Sequence, residues 1–153
     1  MTTAGIDYDT RAVHVVLLDA DGAPSYYRFD LCSTGDAFDR TRAIRDAMPA
    51  RTSVFWRQAA AVGLEEPRGN GTGALLRVQG AILACLPPSV LVAPLGPSQW
   101  RAAVGLSGRA DKATVQDWSL EHGGLESWPQ DAHDAHAIAH AVRNAARLGS
   151  QAA

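Results

Sequence analysis

Asp7, Glu65, Asp131 and Asp134 stand on segments that otherwise read as buried, and charge is not buried without a partner. Asp7 interrupts the apolar opening GIDYDT, Glu65 ends the run AAVGLE, and Asp131 and Asp134 begin a helical pattern on its apolar side. Carboxylates that converge repel one another unless cations neutralise them. Hard oxygen donors of this kind suit Mg²⁺ or Mn²⁺, so the first chemistry to consider is metal-assisted phosphodiester cleavage.

The elements that would carry these acids follow from periodicity. Residues 4–9 and 12–18 are short, apolar runs joined closely around Thr10 and Arg11, which reads as a hairpin; after a turn at Asp21-Gly22, Ser25 to Leu31 supplies a third antiparallel strand. Helical spacing appears from Asp36 to Met48, before Pro49, and Ser53 to Gln58 is ambiguous. Ala59 to Glu65 reads as a buried strand followed by loop formers, Thr72 to Leu86 as an apolar helix stopped by Pro87-Pro88, and Val90 to Ala93 as a short strand. Helices near Ser98 to Val104, Ala110 to His122 and Asp131 to Leu148 complete the chain. Strands first, then strands mixed with helices, predict an α/β or α+β domain on a mixed sheet.

Alternation places Asp7 and Asp9 on one strand face, with Asp9 nearer the hairpin and readable as a turn acid facing solvent. Glu65 and Glu66 face opposite sides; Glu65 shares its face with the small residues Ala61 and Gly63 and is the one expected to join Asp7. On the last helix, Asp134, Ala135, Ile138, Val142, Ala145 and Ala146 all lie within about 60° of Asp131, so both acids sit on the core-facing stripe. Capping of the helix N-terminus is the bland alternative, and it accounts for one acid better than for two.

His133, His136 and His140 have a spacing that could present a Zn²⁺ site. The wheel instead puts them about 140–200° from Asp131, beside Arg143, Asn144 and Arg147, and predicts a solvated or partner-facing polar stripe. Trp56, Trp100, Trp118 and Trp128 could stack on bases, although packing is the ordinary role of tryptophan. Cys32 and Cys85 form no metal-type pair and read as reduced thiols.

With 153 residues and 46% apolar content the chain is expected to bury one core, as a single domain over 1–153. No stretch approaches the roughly 20 apolar residues of a membrane span and no leader pattern opens the chain, so a cytoplasmic protein with no membrane partner is expected. Its 14 Lys+Arg against 16 Asp+Glu, a net charge of −2, weigh against a nucleic-acid partner, because phosphate affinity is largely electrostatic. Bound cations would offset the clustered acids, and the basic residues are grouped: Arg40, Arg42, Arg45, Arg51 and Arg57; Arg101, Arg109 and Lys112; Arg143 and Arg147. The first and last groups read as solvated surface.

Taken in order, these segments resemble the RuvC type of Holliday junction resolvase, within the RNase H-like superfamily of nucleases. GIDYDTR resembles the opening strand with its first catalytic Asp, at Asp7; VGLEEP resembles the strand ending in the catalytic Glu, at Glu65; GALLRVQGAI resembles the following helix, with its Gln-x-x-Gly pattern near Gln79 and Gly80; and DAHDAHAIA resembles the terminal Asp-x-x-Asp helix, at Asp131 and Asp134. QWRAAVGLSGRADKATV resembles the family's basic segment, where Arg101 takes the place of a DNA-contacting Lys and Lys112 matches a second functional Lys. The opening departs from the family in Tyr8 and Asp9, where Pro and Gly are usual, and Arg68 stands where an aromatic that helps open the junction is common.

The resemblance implies an RNase H-like fold: a mixed five-stranded sheet with three antiparallel N-terminal strands, flanked by helices. It implies a Mg²⁺-dependent endonuclease resolving four-way or other branched DNA, with Mn²⁺ as substitute metal. Two ions per site, roughly 4 Å apart, would be held by Asp7, Glu65, Asp131 and Asp134. Lys112 would stabilise charge on the phosphate. Arg68, Arg101, Arg109 and Lys112 would contact DNA, and the products would carry a 5′ phosphate and a 3′ hydroxyl. A homodimer would cut two symmetric strands, and no nucleotide cofactor is implied. Two rivals remain: an RNase H-like domain that binds branched DNA or a protein without cleaving, and a sugar-kinase or actin-like ATPase half, which the hairpin also resembles but which needs two such domains.

Overall fold

A computed structural model describes residues 1–31, 35–50, 53–67 and 72–151. Strands β1 (Thr2–Tyr8), β2 (Ala12–Leu18) and β3 (Pro24–Asp30) form an antiparallel meander. Helices α1 (Ala37–Ala47) and α2 (Val54–Arg57) lead into β4 (Ala59–Glu65), which pairs parallel with β1. Helix α3 (Thr72–Cys85) crosses to β5 (Leu91–Leu95), parallel to β4, and α4 (Pro97–Ala103), α5 (Lys112–Glu121) and α6 (Gln130–Gln151) follow. The sheet order is β3-β2-β1-β4-β5, the mixed five-stranded RNase H-like arrangement that the strand pattern and the resemblance predict.

The two faces of the sheet differ in the size of what they carry. Ile6, Tyr8, Val13, Val15, Val62 and Leu64 point to one side and form the main core with Ile44, Trp56, Val78 and Ile82 from α1, α2 and α3. The other side carries small residues on β1 and β4, with Val16 and Leu18 on β2, and α6 lies on it. A Cβ at Gly5 would overlap the Ala135 carbonyl oxygen and the Ala139 amide nitrogen, and one at Gly63 would meet Ile138 Cγ2 at 2.6 Å. The Thr3 hydroxyl donates to the Ala139 carbonyl at 3.2 Å. Sheet and helix backbones therefore approach unusually closely, which brings the ends of β1 and β4 beside the first turn of α6.

Element ends follow local chemistry. Asp36 caps α1 through a reciprocal box with Asp39, and Asp111 caps α5 by accepting from the Thr114 amide at 2.9 Å, which starts that helix at Lys112 rather than near Ala110. The ambiguous stretch Ser53 to Gln58 is the one-turn helix α2, with Ser53 as its cap. Strand β5 runs to Leu95, beyond the expected Ala93, because Glu65 continues the pairing opposite it. Among the described residues no helix is long and apolar enough to cross a membrane.

Two sequence expectations fail on α6. Its supposed polar stripe is not solvated: His133, His136 and Arg143 are buried and His140 is half-buried. Helix α5 covers that face, and the Ser119 hydroxyl lies 2.9 Å from His133 Nδ1 and 2.8 Å from His136 Nδ1. Arg143 turns back to donate to the carbonyls of Met1, Asp19 and Ala20. A wheel separates polar from apolar faces but cannot tell water from an internal partner, and a neutral imidazole packs acceptably against aromatic rings. Toward the C-terminus, Ala145 is exposed although it shares the inward stripe, because the sheet has ended beneath it.

Candidate metal centre

Asp7, half-buried, is the penultimate residue of β1, and Glu65 ends the adjacent parallel strand β4 on the same, α6-facing side. Asp131 lies in the first turn of α6 and Asp134 at the start of the second. Carboxylate oxygens of Asp7, Asp131 and Asp134 all lie within 4.8 Å of one another, a spacing a divalent ion with oxygen ligands could span. Glu65 lies at the margin of this trio, its Oε2 accepting from Trp100 Nε1 at 3.0 Å. Three of the four sequence-selected acids thus converge closely and the fourth is within electrostatic reach.

The electrostatics are those of a site held under repulsion. Burial, and then the charges of Glu65, Asp134 and Asp131, push the Asp7 carboxyl well above its ordinary value, against one favourable hydrogen bond from the Tyr8 amide at 2.8 Å. Burial likewise raises Glu65 and Asp134, with the Trp100 and Gln130 hydrogen bonds respectively opposing it. Arg101 and Lys112 lower both of these acids by their positive charge. An oxygen-only, crowded, anionic donor set fits a hard divalent cation, which would relieve the repulsion that burial magnifies.

Two basic residues, Lys112 and Arg101, lie within electrostatic reach of this cluster. Lys112 is the first residue of α5 and exposed; its carbonyl accepts from Gln130 Nε2 at 3.2 Å, and the same Gln130 amide nitrogen lies 3.2 Å from Asp134 Oδ1. Arg101 is half-buried, its guanidinium carbon 4.7 Å from the centre of the Trp100 ring. Arg109 is exposed on the loop before α5. Arg68 lies outside the described residues, as does Cys32.

The remaining candidates separate from the cluster. Asp9 is exposed and closes the hairpin turn, accepting from the amides of Arg11 at 2.6 Å and Ala12 at 2.8 Å, and Glu66 is exposed. Trp56 and Trp100 are buried, while Trp118 and Trp128 are half-buried in the helix layer. Sequence reasoning missed His14, Gln130 and the Trp100 bond to Glu65. His14 at least had a signal. Counting outward from the turn at Thr10-Arg11 pairs it with Asp7, and that is the observed register.

No protein-family model matches the chain, and no curated protein does. Solved structures do. The chain is similar to the RuvC structure of Thermus thermophilus, with 26% identity and a TM-score of 0.69 over 97% of both chains. It is also similar to T. thermophilus RuvC in complex with a Holliday junction substrate, with 24% identity and a TM-score of 0.76 over 97% of this chain and 96% of that one. The fold is RuvC-like along essentially the whole length.

Proposed function

We propose that this protein is a metal-dependent endonuclease that cuts branched DNA, four-way junctions foremost, with Asp7, Glu65, Asp131 and Asp134 holding the metal. The observation that carries this reading is the convergence of Asp7, Asp131 and Asp134 from two distant parts of the chain, at the cost of mutual repulsion. A fold needs no such cluster for its own stability, and burial of unpaired carboxylates works against it. Similarity in fold to a protein solved with a Holliday junction supports the choice of substrate class.

In this reading Asp7, which feels the charge of all three other acids, would hold Mg²⁺ or Mn²⁺ together with Glu65, Asp131 and Asp134. When bound, the cations supply Lewis acidity for activating water and stabilising the leaving oxygen. The chain itself orients the carboxylates through the Trp100, Gln130 and Tyr8 hydrogen bonds and places positive charge at the rim. Lys112, exposed at the α5 N-terminus, meets the scissile phosphate, and Arg101, Arg109 and Arg68 contact neighbouring phosphates. A homodimer supplies two such sites: Leu76 and Leu83 of α3 and Phe38 of α1 are exposed apolar side chains on helices that pack against each other, and they form the contact between copies.

The test compares a four-way junction, a flap, a duplex and a single strand, each with Mg²⁺, Mn²⁺ or chelator. Nicking of the four-way junction is expected with either cation and not with chelator. Binding of branched DNA without nicking in either cation would contradict the proposal and favour a non-cleaving binding domain.

A further inference from the structure

His14 is a buried titratable residue beside the carboxylates, and the mechanism above leaves it unused. It sits on β2 directly opposite Asp7 and is 3% exposed. Its Nδ1 lies 2.8 Å from the Tyr26 hydroxyl, and the two rings are parallel to within 7° at 5.9 Å between centres. Trp128, just before α6, packs on the far side of Tyr26 at 5.6 Å. On its other edge, His14 Nε2 faces Asp131 Oδ2 at 3.6 Å.

The arrangement selects one tautomer. With a proton on Nδ1, the Nε2 lone pair would point at a carboxylate, which is repulsive. If the Tyr26 hydroxyl donates to Nδ1, the proton sits on Nε2 and points at Asp131, and every group in the chain is satisfied. The gap of 3.6 Å is longer than a hydrogen bond, so the contact is a dipole directed at a charge, and a shift of about half an ångström would complete the bond. His14 is absent from the close trio of acids, which separates it from a ligand.

We propose that His14, locked by Tyr26, is a positioning residue that steadies one oxygen of Asp131 so that the other is presented to the cation. Partners of this kind around a metal ligand typically change metal affinity or activity by about 10–100-fold when removed. The inference rests on the metal-site reading above, and its test is chosen to separate the two.

Mn²⁺ binding to the metal-free full-length protein is measured by titration calorimetry, alongside the rise in melting temperature that Mn²⁺ produces. His14→Ala is expected to weaken Mn²⁺ binding about 10-fold. His14→Gln, which keeps an N–H donor, restores most of it. Tyr26→Phe, which keeps the ring but frees the tautomer, gives an intermediate loss and carries the test if His14→Ala does not fold. Wild-type affinity in a folded His14→Ala overturns the inference, as does equal impairment in the Ala and Gln variants, which would mark His14 as mere packing. A wild-type protein that binds no Mn²⁺ overturns the metal-site reading and this inference together, whereas unchanged affinity in His14→Ala beside a binding wild type overturns this inference alone.

Discussion

Helix α6 carries two buried titratable clusters on opposite sides, and they resolve the same physical problem in opposite ways. Toward the sheet, Asp131 and Asp134 join Asp7 and Glu65; toward α5, His133, His136 and His140 pack among Trp118, Trp128 and Ser119. Burial disfavours the charged form, so it raises Asp7, Glu65 and Asp134 and lowers His133, His136 and His140, His136 to about 3 and His140 to about 4. A neutral imidazole becomes a tolerable core residue. Carboxylates at neutral pH do not, and their crowding is what supports the proposed cation site.

The sharpest way to break this contrast is Asp7→Asn. Nicking is expected to fall by at least about 10³-fold, beyond the effect of losing an outer partner. In chelator the same variant should melt higher than wild type, by about 2–4 °C for each kcal/mol of repulsion relieved in a chain of this size, as read by tryptophan fluorescence. A lower melting temperature would show that the cluster stabilises the fold and needs no cation.

The close seating of α6 is tested by Gly5→Ala. Its new methyl would meet helix backbone that has no rotamer with which to yield, so about 3 kcal/mol or more of stability should be lost in denaturant unfolding. An unaffected variant would contradict the close packing that brings the acids together. Mn²⁺ at a hundredfold excess over its Kd should in turn stabilise wild type by about 2.7 kcal/mol and Asp7→Asn far less.

The smallest effect separates the clusters by pH. Histidines with lowered pKa contribute stability that is present above 6.5 and lost as pH falls through their folded values, whereas the raised carboxyls contribute stability present below the ordinary carboxylate range and lost as pH rises through theirs. In metal-free protein, His140→Leu should therefore flatten the decline between about pH 6.5 and 4 without changing nicking more than about twofold, and Asp7→Asn should flatten the decline on the alkaline side. Unfolding midpoints across pH measure both.

The sequence was informative where one signal served one purpose. The short apolar runs of β1 and β4 and the stop at Pro87-Pro88 marked the strands and α3, and alternation put Glu65 on the face with Ala61 and Gly63, where α6 lies. The inward stripe of α6 placed Asp131 and Asp134 toward Asp7. It was uninformative where partners come from elsewhere in the chain. Nothing local to His136 or Arg143 says that Ser119 or the Met1, Asp19 and Ala20 carbonyls will satisfy them, so both read as solvated or partner-facing. The bond from Trp100 to Glu65 spans 35 residues and likewise has no local signature.

Where a cation binds is the most direct test of the proposed metal site. Crystals of the protein grown or soaked with Mn²⁺ should show an anomalous difference peak bounded by the carboxylates of Asp7, Asp131 and Asp134, which vanishes in Asp7→Asn. Mn²⁺ bound elsewhere on the surface, with none among these three acids in wild type, would contradict it.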